Sequence, residues 1–245
     1  MLKKLVSLPF LVAATSFASA DTFRFDGRVF YGSSEIDSFY GDSLDVDVMG
    51  VAGAMYFKDV DTNGLLLGEA AFLNHASSIG VLYAEAEMGD FESSTTTLNG
   101  EFYVPQTVLY LGVDYTDAEG SDDEDIDITA GFYKDNLRVT TTYNEDVDYE
   151  LNVLVKYVIV NNDGTGWDLG AGFQKVDEGD DVVQLEAEYF FTPAVSVGLG
   201  YQTDGEDDIT TVEAEVFVTE RVYFSALYSD SEFIDNYMLS AGLRF

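Results

Sequence analysis

Tyr237-Met238-Leu239-Ser240-Ala241-Gly242-Leu243-Arg244-Phe245 is the stretch whose reading decides the fold. In extended backbone successive side chains point to opposite faces, so Tyr237, Leu239, Ala241, Leu243 and Phe245 form one apolar row. Met238, Ser240, Gly242 and Arg244 form the mixed row behind it. A strand of this kind needs an apolar medium on one side only.

The same alternation recurs upstream in segments of about ten residues separated by turn chemistry, the form that membrane-spanning strands take in sequence. Expected outward rows are Phe23-Phe25-Gly27-Val29-Tyr31, Leu44-Val46-Val48-Gly50-Ala52-Ala54-Tyr56, Ile79-Val81-Tyr83, Leu109-Leu111-Val113-Tyr115, Ile126-Ile128-Ala130-Phe132 and Leu137-Val139-Thr141-Tyr143. They continue as Leu151-Val153-Val155-Tyr157-Ile159, Trp167-Leu169-Ala171-Phe173, Val183-Leu185-Ala187-Tyr189-Phe191, Val195-Val197-Leu199-Tyr201, Val212-Ala214-Val216-Val218 and Val222-Phe224-Ala226-Tyr228. Many end on Tyr or Phe, as an interfacial aromatic girdle requires. Between Gly68 and Glu87 the phase changes, and a bulge near Asn74 or His75 is expected to reconcile Phe72 with the Ile79 row.

At the other end of the sequence, Lys3 and Lys4 precede an apolar run from Leu5 to Phe17 that finishes in Ala18-Ser19-Ala20. This is the pattern of an export signal peptide cleaved before Asp21. Residues 1–20 are therefore expected to be a leader and residues 21–245 a single domain. No other apolar run is long enough to span as a helix, so a bilayer could be crossed only by strands closed into a barrel, which leaves no backbone group unpaired. The expected fold is an all-β, antiparallel, up-and-down transmembrane β-barrel of about fourteen strands; twelve results if the early hairpin is misread. Bacterial single-chain barrels have an even number.

The formal net charge is −35, and losing Lys3 and Lys4 with the leader takes it two units lower, to −37. Phosphate backbones need the opposite sign, which excludes nucleic acid as a partner. A hydrophobic content of 47% with regular alternation excludes a disordered acidic chain. Connections fall into two alternating classes. Residues 117–125, 145–148, 177–181, 204–208 and 230–232 are acidic, whereas 104–106, 134–136, 161–166, 192–193 and 219–221 carry Pro, Asn, Gly or basic residues.

The closing segment resembles the terminal strand of bacterial outer-membrane β-barrels, which ends in Phe or Trp behind an alternating apolar row. Leu67-Gly68-Glu69-Ala70-Ala71-Phe72-Leu73-Asn74-His75-Ala76-Ser77 resembles a motif that recurs in poorly characterised small porin-like proteins of Gram-negative bacteria. These resemblances imply residence in a Gram-negative outer membrane, among its lipid and lipopolysaccharide. They also imply that Phe245 ends on the periplasmic side, which puts the acidic loops outside the cell. Tyr237, Leu239, Ala241, Leu243 and Phe245 would then be the signal read by the barrel-assembly machinery.

Candidate chemistry is sparse. His75-Ala76-Ser77 has the His-x-Ser spacing of outer-membrane phospholipases, without the Asn-Gly that continues their motif; a polar pair facing the lumen is the alternative. With no Cys and one His, soft or imidazole metal sites are excluded. Asp59-Val60-Asp61-Thr62-Asn63-Gly64 opens like a calcium loop, but the closing acid position is Ala70, so an Asx/Gly turn is expected. No cofactor is expected. The acidic loops admit weak Ca²⁺ or Mg²⁺ association, though a solvated acidic surface is the simpler reading.

The expected inward row carries the functional signal. It contains Asp26, Asp45, Asp47, Glu101, Asp114, Asp127, Glu150, Asp168, Glu186, Glu188, Glu213 and Glu215 against Arg24, Arg28, Arg138, Lys156 and Arg244. So many carboxylates cannot sit in a dry core, which implies water inside and an interior that favours cations. The expected function is a channel for passive diffusion of ions and small hydrophilic solutes. The alternative is a non-conducting structural or adhesive barrel, its lumen closed by Phe30, Phe57, Tyr103, Tyr133, Phe190, Phe217 and Tyr223. A phospholipase-like enzyme is a distant third.

Overall fold

The computed structural model describes residues 22–37, 43–119, 124–144, 147, 149–176, 181–205, 207–232 and 234–245. The expected leader and parts of the acidic loops at 117–125, 145–148, 177–181 and 204–208 lie outside the described residues, as does the side chain of Glu150.

The strands are β1 (Thr22–Asp37), β2 (Ser43–Asp61), β3 (Ser78–Met88), β4 (Phe91–Tyr103), β5 (Leu109–Ala118), β6 (Asp125–Lys134) and β7 (Leu137–Asn144). They continue as β8 (Tyr149–Val160), β9 (Gly166–Val176), β10 (Val182–Thr192), β11 (Val195–Thr203), β12 (Asp208–Phe217), β13 (Val222–Asp230) and β14 (Ile234–Arg244). Each pairs with its sequence neighbours, and β1 pairs antiparallel with β14, with Arg28 opposite Gly242. The fourteen strands close on themselves, so every strand edge is used. One helical turn, α1 (Ala70–Leu73), interrupts the series.

Alternation fixes which side each residue faces. From β5 to β14 the expected apolar rows all lie outside, with Leu109, Leu151, Leu185, Leu199, Phe224 and Leu239 exposed there. Outward rings gather at both ends. Trp167, Tyr189 and Phe191 stack at the end carrying Phe245. At the opposite, acidic end the hydroxyls of Tyr31, Tyr201 and Tyr228 donate to Asp47, Asp208 and Asp235 at 2.8, 2.8 and 3.0 Å.

Two early strands depart from expectation. At the start of β1 the amides of Arg24 and Phe25 both donate to Phe245 O, at 2.9 and 2.8 Å, which marks a bulge. The bulge turns Phe23 inward, into a cluster with Val60, Ala70 and Ala76. Arg24 is turned outward, where it pairs with Asp59. In β2 the faces are the reverse of those expected: Met49, Val51, Met55 and Phe57 are exposed outside, whereas Gly50, Ala52, Ala54 and Tyr56 point inward. Both rows of β2 are apolar enough to meet lipid, and packing decides between them. Phe30 from β1 lies across Gly50, where an added Cβ would come within 2.3 Å of its ring.

The third departure fills one end of the lumen. The phase change between β2 and β3 is not a bulge in a strand. Residues 62–77 leave the sheet and fold back into the barrel at the Phe245 end.

Candidate functional site

The inserted segment begins at a turn. Asp61 Oδ1 accepts the Asn63 amide at 2.9 Å and Gly64 takes φ 71°, the left-handed backbone that glycine tolerates. The resemblance to a calcium loop therefore resolves as an Asx/Gly turn. Leu66 then inserts between Val158 and Phe190, fully buried, with Phe72 beside them. Leu67 packs on Phe217 and Tyr223. The ring of Phe72 lies 5.5 Å from the Arg138 guanidinium and 5.1 Å from Lys156 Nζ.

Polar anchors hold the segment from several strands. The Leu67 amide donates to Pro193 O at 2.8 Å, and Arg244 Nη1 donates to Leu67 O at 2.7 Å. The Asn74 amide group donates to Asp61 O and Ala70 O, each at 2.8 Å, and Lys58 Nζ reaches Asn74 O. His75 places Nε2 2.7 Å from Asp135 O and stacks against Tyr133 and Tyr103. Ser77 Oγ accepts the Tyr103 amide at 2.9 Å. The His-x-Ser pair is thus engaged by separate partners.

Three lumenal cations are tied to carboxylates around this plug. Arg138 meets Glu101 at 3.0 Å, Arg244 meets Asp26 at 2.6 Å, and Lys156 meets both Asp168 at 2.7 Å and Glu69 at 2.9 Å. Tyr110 and Tyr223 donate to the same Glu101 and Asp26, at 2.6 and 2.8 Å. Glu69 is a plug residue, nearly enclosed; burial pushes its carboxyl up to about 7, against the pull of the Lys156 ammonium.

Beyond the plug, towards the acidic end, the lumen opens into cavities of about 490 and 480 Å³. The first is lined by Asp168, Glu186, Glu188, Glu213 and Glu215, the second by Asp26, Arg28, Asp114, Glu213, Glu215 and Arg244. Across β11, Glu188 and Glu213 both face Gly198, so no side chain separates them. Two strand spacings put their backbones about 10 Å apart.

The structure therefore gathers Asp26, Arg28, Glu101, Asp114, Asp127, Arg138, Lys156, Asp168, Glu186, Glu188, Glu213, Glu215 and Arg244 on the inner face. Arg24, Asp45 and Asp47 do not belong there. The bulge expels Arg24, and the reversed face of β2 turns both aspartates outward at the acidic end, where Tyr31 donates to Asp47. Phe57 is likewise outside, against Phe102. Sequence reasoning missed Glu69, Leu66 and Leu67 as lumen residues. The available signal was the loss of period-two alternation after Asn63-Gly64, where a run of Leu and Ala favours a turn of helix.

The family model described as "Putative general bacterial porin" matches residues 2–137 and 133–245. The chain belongs to this porin family. Its place is the outer membrane of a Gram-negative bacterium. The outer membrane protein Omp33 of Acinetobacter baumannii shares 23% sequence identity and a TM-score of 0.77, over 93% of this chain and 100% of that one. A mutant porin of Rh. blastica aligns at 12% identity and a TM-score of 0.47, over 90% and 99% of the two chains. The KdgM porin, solved in complex with disordered oligogalacturonate, aligns at 9% and 0.47, over 89% and 99%. No curated protein matches the chain in sequence. Porin membership favours a channel over an enzyme.

Proposed function

We propose that this porin is a cation-preferring diffusion channel for ions and small hydrophilic solutes. The carrying observation is the charge left on the lumen wall after pairing. Arg138, Lys156 and Arg244 are bound to Glu101, Asp168, Glu69 and Asp26 at the plugged end. Glu186, Glu188, Glu213 and Glu215 line the cavity beyond them. Low-dielectric walls focus the field of such a row and raise the local concentration of cations.

The plug favours a second reading, a barrel that does not conduct, because residues 62–77 fill the Phe245 end with Leu66, Leu67 and Phe72. A planar-bilayer recording of the refolded mature chain separates the two. Discrete conductance steps with a reversal potential on the cation side under a KCl gradient support the channel. Silence from both the wild type and a variant with residues 64–76 replaced by a short Gly-Ser linker supports the closed barrel.

A further inference from the structure

Glu69 sits in an unusual balance of charge. It reaches into the lumen wall from the plug, and its carboxylate, that of Asp168 on β9 and that of Glu188 on β10 offer oxygens within 4.8 Å of one another. Lys156 on β8 is the cation that bonds two of them. Glu215 on β12 faces the neighbouring residue, its Oε1 2.9 Å from where a Cβ on Gly68 would lie, and Arg244 on β14 holds the Leu67 carbonyl. With every carboxyl ionised, three negative charges share one ammonium. Asp168 Oδ1 is moreover buried without a hydrogen-bond donor, an arrangement that costs free energy.

We propose that residues 62–77 form a proton-operated plug, seated when Glu69 is protonated and loosened when it ionises. A proton on Glu69 removes one of three crowded negative charges. It also puts an O–H into a cluster whose carboxylate oxygens lie within 4.8 Å of one another and in which Asp168 Oδ1 has no donor. Lys156 keeps its bond to Asp168 in both states. The sign follows from linkage: a carboxyl raised from 4.5 to about 7 by docking favours the docked state below 4.5, and that advantage is lost as pH rises through 7. The proposal rests on the channel reading for its consequence, since a loosened plug would open the lumen.

Hydrogen exchange of the plug amides reads the seat without needing conduction. Protection factors, corrected for intrinsic rates, of amides such as Leu67, which donates to Pro193 O, should be more than tenfold higher at pH 5 than at pH 8. In Glu69→Gln, which cannot ionise, the difference should vanish with protection kept high. Bilayer conductance run in parallel should rise with pH in the wild type and stay low in Glu69→Gln. Equal protection at both pH values, or an unchanged pH difference in Glu69→Gln, overturns the plug mechanism. A pH-dependent seat in a barrel that stays silent even after replacement of residues 64–76 leaves the plug intact and contradicts the channel instead.

Discussion

Arg244 and Asp26 meet across the seam that closes the barrel, Nε to Oδ2 at 2.6 Å, and the same guanidinium donates to the Leu67 carbonyl of the plug. One side chain from the last strand thus joins barrel closure to lumen occlusion. It is enclosed by Phe23, Phe217 and Tyr223, whose rings lie 4.7, 4.6 and 5.1 Å from it.

Arg244→Gln should therefore do two things at once. Leaving the partly buried Asp26 without its cation should destabilise by less than the about 3–5 kcal/mol that breaking a fully buried ion pair from one side costs, since Asp26 borders the lumen cavity and keeps the Tyr223 hydroxyl. Freeing Leu67 O should also loosen the plug and raise conductance. Thermal unfolding in detergent, followed by circular dichroism, should show the loss, and adding Asp26→Asn should recover part of it.

The reversed face of β2 is open to a direct check, because the protein has no native Cys. Ala52→Cys should react with a small water-soluble thiol reagent entering through the lumen, whereas Val51→Cys, set against lipid, should be protected. The opposite pattern would restore the face read from the sequence.

That reversal shows where the sequence was legible and where it was not. From β5 to β14 each strand has one continuous apolar row and a second row broken by polar or small residues, so period-two alternation fixes the facing, and Glu186, Glu188, Glu213 and Glu215 follow from Leu185 and Val212. In β2 both rows are apolar, and the choice is made by Phe30 needing the space at Gly50, a contact between strands that no local pattern encodes. The bulge at Arg24 is set by Phe245, 221 residues away in sequence, whose carbonyl accepts two successive amides. Residues 62–77 broke the alternation visibly, but a break in pattern does not say whether the chain bulges or leaves the sheet. Its anchors, Pro193 O, Asp135 O and Lys156, are distant in sequence.

Phe245 is more than half exposed and stacks on Phe25 at 5.4 Å. Burial of a whole Phe stabilises by only about 1.5–3 kcal/mol, so Phe245→Ala should leave the refolded barrel stable in vitro. In cells the same variant should reach the outer membrane far less, if the terminal aromatic is an assembly signal. Quantifying the protein in outer-membrane fractions checks this; wild-type levels would remove that role.

Orientation rests on the two classes of connection, which occupy opposite ends of the barrel. Asp207→Cys, at the acidic end, should be labelled on intact cells by an impermeant thiol reagent. Asn162→Cys, in the turn where Asn161 bonds Thr165 at the Phe245 end, should be labelled only after lysis. Labelling of both in intact cells would contradict the assignment.

The cation preference is tested most directly by the reversal potential of a variant in which Glu186, Glu188, Glu213 and Glu215 are all replaced by Gln. Two unit charges about 4 Å apart interact by only about 1 kcal/mol in water, so selectivity must come from several carboxylates focused by the barrel wall. Under a KCl gradient the wild type should reverse on the cation side. With residues 64–76 replaced by the Gly-Ser linker, which removes the plug that Glu188 and Glu215 face, the fourfold variant should keep its conductance and shift towards neutrality, more strongly at 0.01 M than at 1 M salt, where screening contracts from about 30 to 3 Å. An open variant with an unchanged reversal potential would show that these carboxylates do not set selectivity.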